Sequence, residues 1–239
     1  MVLMKQLHEI QLQILKRLLF ANELRYAQVK PDQGMENNQF DFHLDQLIDG
    51  GYVAKKDKSY KLTNFGKEYA NRMDTEEVVV AKQSKISAWI CCTREGNKQK
   101  QFLIYTRLKQ PFYGCQGFMS GKVRYGEKVV DAARRELKEE TGLGGEPQIV
   151  SVKHFLVYDK TTNELVEDKI MVLCVVKNPK GDLKPHNEGL YQWVGEPDLR
   201  KHITNPFEPI DEFLKYLYEA KKFKGKVSFI EIEHWTSKF

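Results

Sequence analysis

Cysteine is scarce. The 239 residues hold four, Cys91, Cys92, Cys115 and Cys174, and none forms a Cys-x-x-Cys pair. Cys91-Cys92 and Cys174 lie in apolar runs. They read as reduced core residues of a cytosolic protein rather than a disulfide framework. No apolar run is long enough to cross a bilayer and no signal peptide is recognisable. A cytoplasmic protein without a membrane partner is therefore expected. Repeats and low-complexity segments are also lacking. Neither sign of charge dominates: 38 Lys and Arg stand against 33 Asp and Glu, a formal net charge of +5. That suits anionic substrates or partners without requiring them. With 41% hydrophobic and 30% charged residues, the composition is that of a soluble globular protein, and the length allows one large domain or two smaller ones.

The N-terminal third is helical in pattern. Met1 to about Asn22 carries an amphipathic stripe of Leu7, Ile10, Ile14, Leu15, Leu18 and Leu19. A short helix is expected around Glu23 to Gln28, broken by Pro31, Asp32 and Gly34. A third helix spans Glu36 to Asp49, with Phe40, Leu44, Leu47 and Ile48 facing a core and Gly50-Gly51 as its stop. Tyr52-Val53-Ala54 and Tyr60-Lys61-Leu62 flank a basic turn and read as a hairpin. Thr63 opens a last helix to about Met73. This order resembles a winged helix-turn-helix domain, which implies duplex DNA as a partner. Asn37, Asn38, Gln39, His43 and Gln46 would face base edges, and Lys55, Lys56, Lys58 and Lys61 would meet phosphates. Against DNA stands the row Asp41, Asp45 and Asp49. Residues 1–75 also hold eleven basic and ten acidic side chains, a weak balance for phosphate neutralisation. The alternative is dimerisation or protein contact, so a second copy of the chain is a further candidate partner.

Asp74 to Glu77 is polar and marks a boundary; Val78-Val79-Val80 is left unassigned between a short packed segment and the start of a sheet. From Ser84 the pattern becomes strand-like. Strands are expected at 86–92, 102–105, 149–152, 155–158, 170–176 and 192–194, with a short helix at 197–201 and a closing amphipathic helix at 208–221. Ile210, Phe213, Leu214 and Leu217 face inward on that helix. The tail, 227–235, could add one more strand.

Between these strands lies Gly121 to Leu143. Lys128 to Thr141 reads as a helix with an apolar stripe of Val129, Val130, Ala133 and Leu137, ended by Gly142 and its hydrophobic follower Leu143. Glu136, Glu139 and Glu140 fall within an arc of roughly 100°. Glu139 can pair with Arg135 one turn back; Glu136 and Glu140 have no basic residue at matching spacing. A divalent cation would relieve that repulsion, and oxygen ligands without Cys or His suit Mg²⁺ or Mn²⁺.

Gly121, Glu127, Arg135-Glu136-Leu137, Glu139-Glu140 and Gly142-Leu143, at this spacing, resemble the Nudix box of the Nudix hydrolase superfamily at every specified position. The resemblance implies metal ligation by Glu136, Glu139 and Glu140, with the carbonyl of Gly121 as a further ligand. Glu127 would assist through water or the outer shell, and Arg135 would orient a carboxylate. The expected fold class is α+β: a Nudix α/β/α sandwich with a mixed sheet, preceded by a small winged-helix domain. The domains are read as 1–75 and 84–239, with 76–83 as linker. The implied reaction is water attack on the diphosphate linkage of a nucleoside diphosphate derivative. A box glutamate or Glu188 would take the proton. Trp89, Phe112, Tyr113 and Trp193 are available to stack on a base, and Arg107, Lys109 and Arg124 to contact phosphates. His154 and His186 are assigned no role. Phe118-Met119-Ser120 replaces the Pro-Gly-Gly common before the box glycine, which counts against a nucleotide-cleaning role specifically. The alternative function is a DNA-binding transcription regulator whose Nudix domain senses a nucleotide metabolite. Regulators of that type usually carry their domains in the reverse order.

Overall fold

The computed structural model describes residues 7–80, 82–96, 99–225 and 227. The chain divides after Lys82 into two compact units. The expected strand at 227–235, apart from Val227, and the first six residues of the expected N-terminal helix lie outside the described residues.

The first unit begins with α1 (Glu9–Leu19). Its start is fixed by His8: Nδ1 accepts from the Ile10 N–H at 3.2 Å, while the Gln11 side chain accepts from the His8 N–H at 2.8 Å, a reciprocal cap. Then follow β1 (Leu24–Arg25), α2 (Tyr26–Val29), α3 (Asn37–Asp49), β2 (Val53–Lys56), β3 (Ser59–Leu62) and α4 (Asn64–Ala70). Thr63 caps α4 by accepting from the Gly66 N–H at 2.9 Å. The hairpin β2–β3 gains a third strand from β1, order β1-β3-β2. Ile14, Leu15, Leu18, Phe40, Leu44, Leu47, Tyr60 and Tyr69 close one core, each large apolar side chain contributing about 1.5–3 kcal/mol. The stretch left unassigned is partly a strand: β4 (Met73–Asp74) pairs antiparallel with β5 (Val79–Val80).

The second unit is a mixed sheet. Its strands are β6 (Lys85–Glu95), β7 (Lys100–Arg107), β8 (Gln116–Gly117), β9 (Met119–Lys122), β10 (Gln148–Tyr158), β11 (Leu165–Lys177) and β12 (Gly189–Gly195). The order is β10-β11-β6-β7-β12; β11–β6 is parallel and the other pairings are antiparallel. β10 runs through both expected segments as one strand, with a bulge between Ile149 and Ser151. The helices are α5 (Val129–Thr141), α6 (Leu199–His202) and α7 (Ile210–Lys222). Ala88, Ile90 and Cys92 of β6 pack with α5, whereas Trp89 and Cys91 pack with α7. Covered on both faces, β6 is apolar almost throughout instead of alternating. On α5, Ala132 is buried and Val130 only half-buried, so the helix is rotated slightly from the expected stripe.

β6 divides its partners. Ser87–Ile90 pair with β9, and Thr93–Glu95 pair with β7. That split carries β9, and Gly121 within it, alongside α5. Among the described residues no helix is long and apolar enough to cross a membrane.

Candidate active site

Arg135 is the hub of the site. Its side chain is 16% exposed. Nε donates to Glu127 Oε1 at 2.7 Å and Nη2 to Glu127 Oε2 at 2.8 Å, a bidentate clamp. Nη1 donates to Glu136 Oε1 at 2.6 Å and to Glu139 Oε2 at 3.3 Å, and Nη2 reaches the Lys122 carbonyl at 3.1 Å. The expected pairing with Glu139 is present, but it is the longest of the carboxylate bonds. Glu136 does have a cationic partner, its own neighbour. The one-turn spacing rule omitted this pair because a long guanidinium can fold along the helix surface. Glu127 Oε2 also accepts from the Arg124 N–H at 2.9 Å. The Arg135 bond, opposed by burial and helped by that N–H, holds the Glu127 carboxyl below its ordinary value.

Gly121 explains how Glu136 reaches its place. A Cβ on Gly121 would overlap the Glu136 side chain, with Oε1 only 2.5 Å away. The missing methyl is the space that the carboxylate arm occupies. At the far end of α5, Gly142 adopts φ 75° and its N–H bonds the Lys138 carbonyl, ending the helix as expected. Glu140, two residues earlier, turns toward β12, where the Tyr191 hydroxyl donates to its Oε2. Burial pushes the Glu140 carboxyl up, the Tyr191 bond opposes this, and the charge of Glu136 adds to the rise. Glu139 is 51% exposed, with Arg124 Nη2 at 3.6 Å.

Glu188 stands on the loop before β12. Its carboxylate pairs with Lys109. Its carbonyl accepts from the Leu108 N–H at 2.9 Å and from the Tyr105 hydroxyl at 3.0 Å. Lys109 and His186 both act on the Glu140 charge, so the Glu188 loop lies on the Glu140 side of the cluster. Of the other sequence candidates, Arg107 is engaged by its own loop, donating to the carbonyls of Pro111 and Gln110. Trp89 is core, packed on Phe118, Phe155 and Tyr216. Trp193 lies under Arg94 at 4.3 Å. Phe112 meets Phe207 edge-on, and Tyr113 is exposed. His154 pairs with Asp168 at 2.9 Å. Sequence reasoning missed Tyr105 and Tyr191. Their rings stack at 5.2 Å and 26°. The period-2 pattern of β12 does place Tyr191 and Trp193 on one face, but not against Glu140.

Among the described residues no three His, Cys, Asp or Glu side chains converge as a ready metal site. Arg135 engages oxygens of Glu127, Glu136 and Glu139, and Tyr191 engages one of Glu140. The donor set still fits a hard divalent cation. Four carboxylates border β9 and α5 with one half-buried guanidinium among them, and the Gly121 notch brings the Glu136 arm against the backbone of β9. Glu136, Glu139, Glu140 and the Gly121 carbonyl are the groups that could hold it.

In the first unit, His43 of α3 is buried and stacks on His8 at 4.4 Å. Gln46 accepts from Gln11 at 2.9 Å and Asn37 from Lys30 at 2.9 Å. Packing of α3 on α1 withdraws His43 from a base edge, whereas Gln46 and Asn37 stay exposed with one side-chain oxygen each engaged. Asn38 and Gln39 are exposed, as are Lys55, Lys56, Lys58 and Lys61.

Residues 83–217 match the NUDIX domain family model, and residues 5–73 match a domain of unknown function, DUF7347. An ADP-ribose pyrophosphatase of Methanocaldococcus jannaschii is 29% identical over 128 residues, 53% of this chain and 73% of that protein. The NUDIX domain of Shewanella oneidensis NrtR, solved with ADP ribose, superposes with a TM-score of 0.51 at 15% identity, covering 67% of this chain and 98% of that one. A MutT protein of Methanosarcina mazei Go1 superposes with a TM-score of 0.46 at 26% identity, over 59% and 98%. The fold, the complete nine-position pattern and the match over more than half the chain lead to one conclusion: the chain belongs to the NUDIX family and is a Nudix hydrolase acting on pyrophosphate bonds.

Proposed function

We propose that the protein is a Mg²⁺- or Mn²⁺-dependent hydrolase of the diphosphate linkage in nucleoside diphosphate derivatives, with ADP-ribose the first candidate substrate. The observation that carries this is the Arg135 hub, which draws Glu127, Glu136 and Glu139 to one end of the site while Glu140 faces the Glu188 loop. A bound divalent cation supplies charge neutralisation of the diphosphate and a more acidic attacking water. The chain's own residues do the rest. Arg135 fixes the directions of Glu127 and Glu136. Glu139, more exposed than either, faces solvent from the same helix. Glu188, one oxygen held by Lys109, offers its other oxygen as the proton acceptor for the attacking water. Support for ADP-ribose comes from the related pyrophosphatase.

The test is hydrolysis of ADP-ribose, other nucleoside diphosphate sugars, dinucleoside polyphosphates and NADH with Mg²⁺ and Mn²⁺. Release of AMP from ADP-ribose, lost by orders of magnitude in Glu139→Gln and Glu140→Gln folded variants, is expected. Full activity in both variants would sink the site assignment.

The N-terminal unit is proposed as an accessory winged-helix domain over residues 1–75, joined through 76–83 to the hydrolase domain at 84–239. A second reading, a nucleotide-sensing regulator that binds duplex DNA, rests on the exposed hairpin lysines. Asp45 and Asp49, exposed on α3, oppose it.

A further inference from the structure

Glu140 differs from its neighbours on α5. Glu136 and Glu139 share Arg135, but Glu140 is held by a neutral donor, the Tyr191 hydroxyl. That hydroxyl is itself fixed from behind. The Tyr105 ring stacks on Tyr191 at 5.2 Å, and the Tyr105 hydroxyl donates to the Glu188 carbonyl at 3.0 Å. The stack needs Gly189. A Cβ there would overlap the Tyr105 ring and lie 3.0 Å from the Thr106 carbonyl. Tyr105 also pairs directly with Tyr191 across β7 and β12. Two aromatic rings, a glycine notch and two hydroxyl bonds thus tie the last glutamate of α5 to the loop that carries Glu188.

We propose that Tyr191 is a positioning residue: its hydroxyl holds Oε2 of Glu140 so that Oε1 is presented toward the cation and diphosphate, and the stacked Tyr105 ring backs that orientation. This rests on the reading of Glu140 as a metal ligand. A neutral donor suits the task. It orients the carboxylate without cancelling the charge that a cation requires, whereas a second arginine would compete with the metal. Loss of such an outer partner typically weakens metal affinity or activity about 10–100-fold.

The test uses the full-length protein and Mn²⁺ alone, followed by electron paramagnetic resonance of the free ion. Tyr191→Phe keeps the ring stack and removes only the hydroxyl. The expected result is an Mn²⁺ affinity weakened about tenfold or more. With ADP-ribose, kcat should fall at limiting Mn²⁺ while KM for the nucleotide holds, and saturating Mn²⁺ should restore part of the rate. Tyr105→Phe, which spares the Glu140 bond, should bind Mn²⁺ as the parent does. A folded Tyr191→Phe with parental Mn²⁺ affinity overturns the role. So does Tyr105→Phe losing Mn²⁺ equally: that change keeps the ring stack and the Tyr191–Glu140 bond, so the effect would come from the Glu188 loop rather than from the Tyr191 hydroxyl. Glu140→Gln separates the two levels. If it binds Mn²⁺ like the parent, the reading of Glu140 itself is wrong. If it loses Mn²⁺ while Tyr191→Phe does not, only the positioning role fails.

Discussion

Gly121→Ala tests the site at its tightest point. The backbone of Gly121 is ordinary for a strand, paired with Ala88, so alanine is allowed there on conformational grounds. What it lacks is room. The new methyl would overlap Cγ and Cδ of Glu136 outright and stand 2.5 Å from its Oε1, against the 3.4–4 Å of ordinary contact. The carboxylate arm must therefore retreat by roughly 1.5 Å. The Arg135–Glu136 bond is 2.6 Å, so a retreat of that size away from Arg135 takes it beyond hydrogen-bond range. Overpacking costs roughly 1–3 kcal/mol, offset in part by about 0.4–1 kcal/mol from a stiffer unfolded chain. A modest net destabilisation should appear in urea melts. The effect on rate should be larger, since a misplacement of about 1 Å can cost about 10²-fold. The assay is kcat for ADP-ribose hydrolysis against Mg²⁺ concentration, with the urea midpoint measured in parallel. A Gly121→Ala protein with the parental rate and unchanged Mg²⁺ dependence would refute the reasoning, because it would mean that Glu136 need not lie where the notch puts it.

Arg135→Lys keeps the charge but loses the fork that grips Glu127; a stability loss of about 1–3 kcal/mol is expected by thermal or urea unfolding, and none at all would show that the hub is dispensable. Burial lifts the Glu208 carboxyl from 4.5 to about 7, and among the described residues its Oε1 has no hydrogen-bond partner. An acid whose folded pKa is raised contributes stability that is full below about pH 4.5 and lost as pH rises through about 7. Glu208→Gln should therefore exceed the parent in stability at pH 8 by on the order of 1–3 kcal/mol and flatten the slope between pH 5 and 8; equal slopes in the two proteins count against this. If the first unit binds duplex DNA, affinity should fall steeply with added salt and disappear in a Lys55→Glu, Lys56→Glu variant. A flat salt response assigns that unit to protein contacts instead.

Local spacing carried what could be read in advance. The α5 glutamates, the Gly142 stop and the Thr63 cap depend on residues within a turn or two of each other, and all three stand where the pattern put them. Relations that depend on strand register were out of reach. Tyr191 and Glu140 are 51 positions apart, and only the pairing of β12 with β7 brings them together. His43 marks a different kind of miss. It sits three residues after Phe40 and four before Leu47, on the buried face of α3, so the periodicity that identified the core also contained the reason it could not read a base.

The distribution of charge on α5 accounts for the way the site is built. Four glutamates on or beside one helix would oppose folding if all were left bare. Three of them share Arg135, whose guanidinium holds Glu127 twice, Glu136 once and Glu139 loosely. Arg135 and, 3.6 Å from Glu139, Arg124 bring two positive charges to three negative ones, so the cluster stays anionic while its geometry is fixed. Among the described residues Glu140 receives no cation in its own bonds, but a phenol and the weaker pull of His186 and Lys109. Orientation has thus been supplied at every position and neutralisation at few. A structural ion-pair network would be arranged the other way, with charges matched first. Oriented but only partly compensated carboxylates leave a deficit of positive charge near Glu136 and Glu140, the two whose mutual repulsion acts on the Glu140 carboxyl, and under the proposed metal dependence a divalent cation would gain most there.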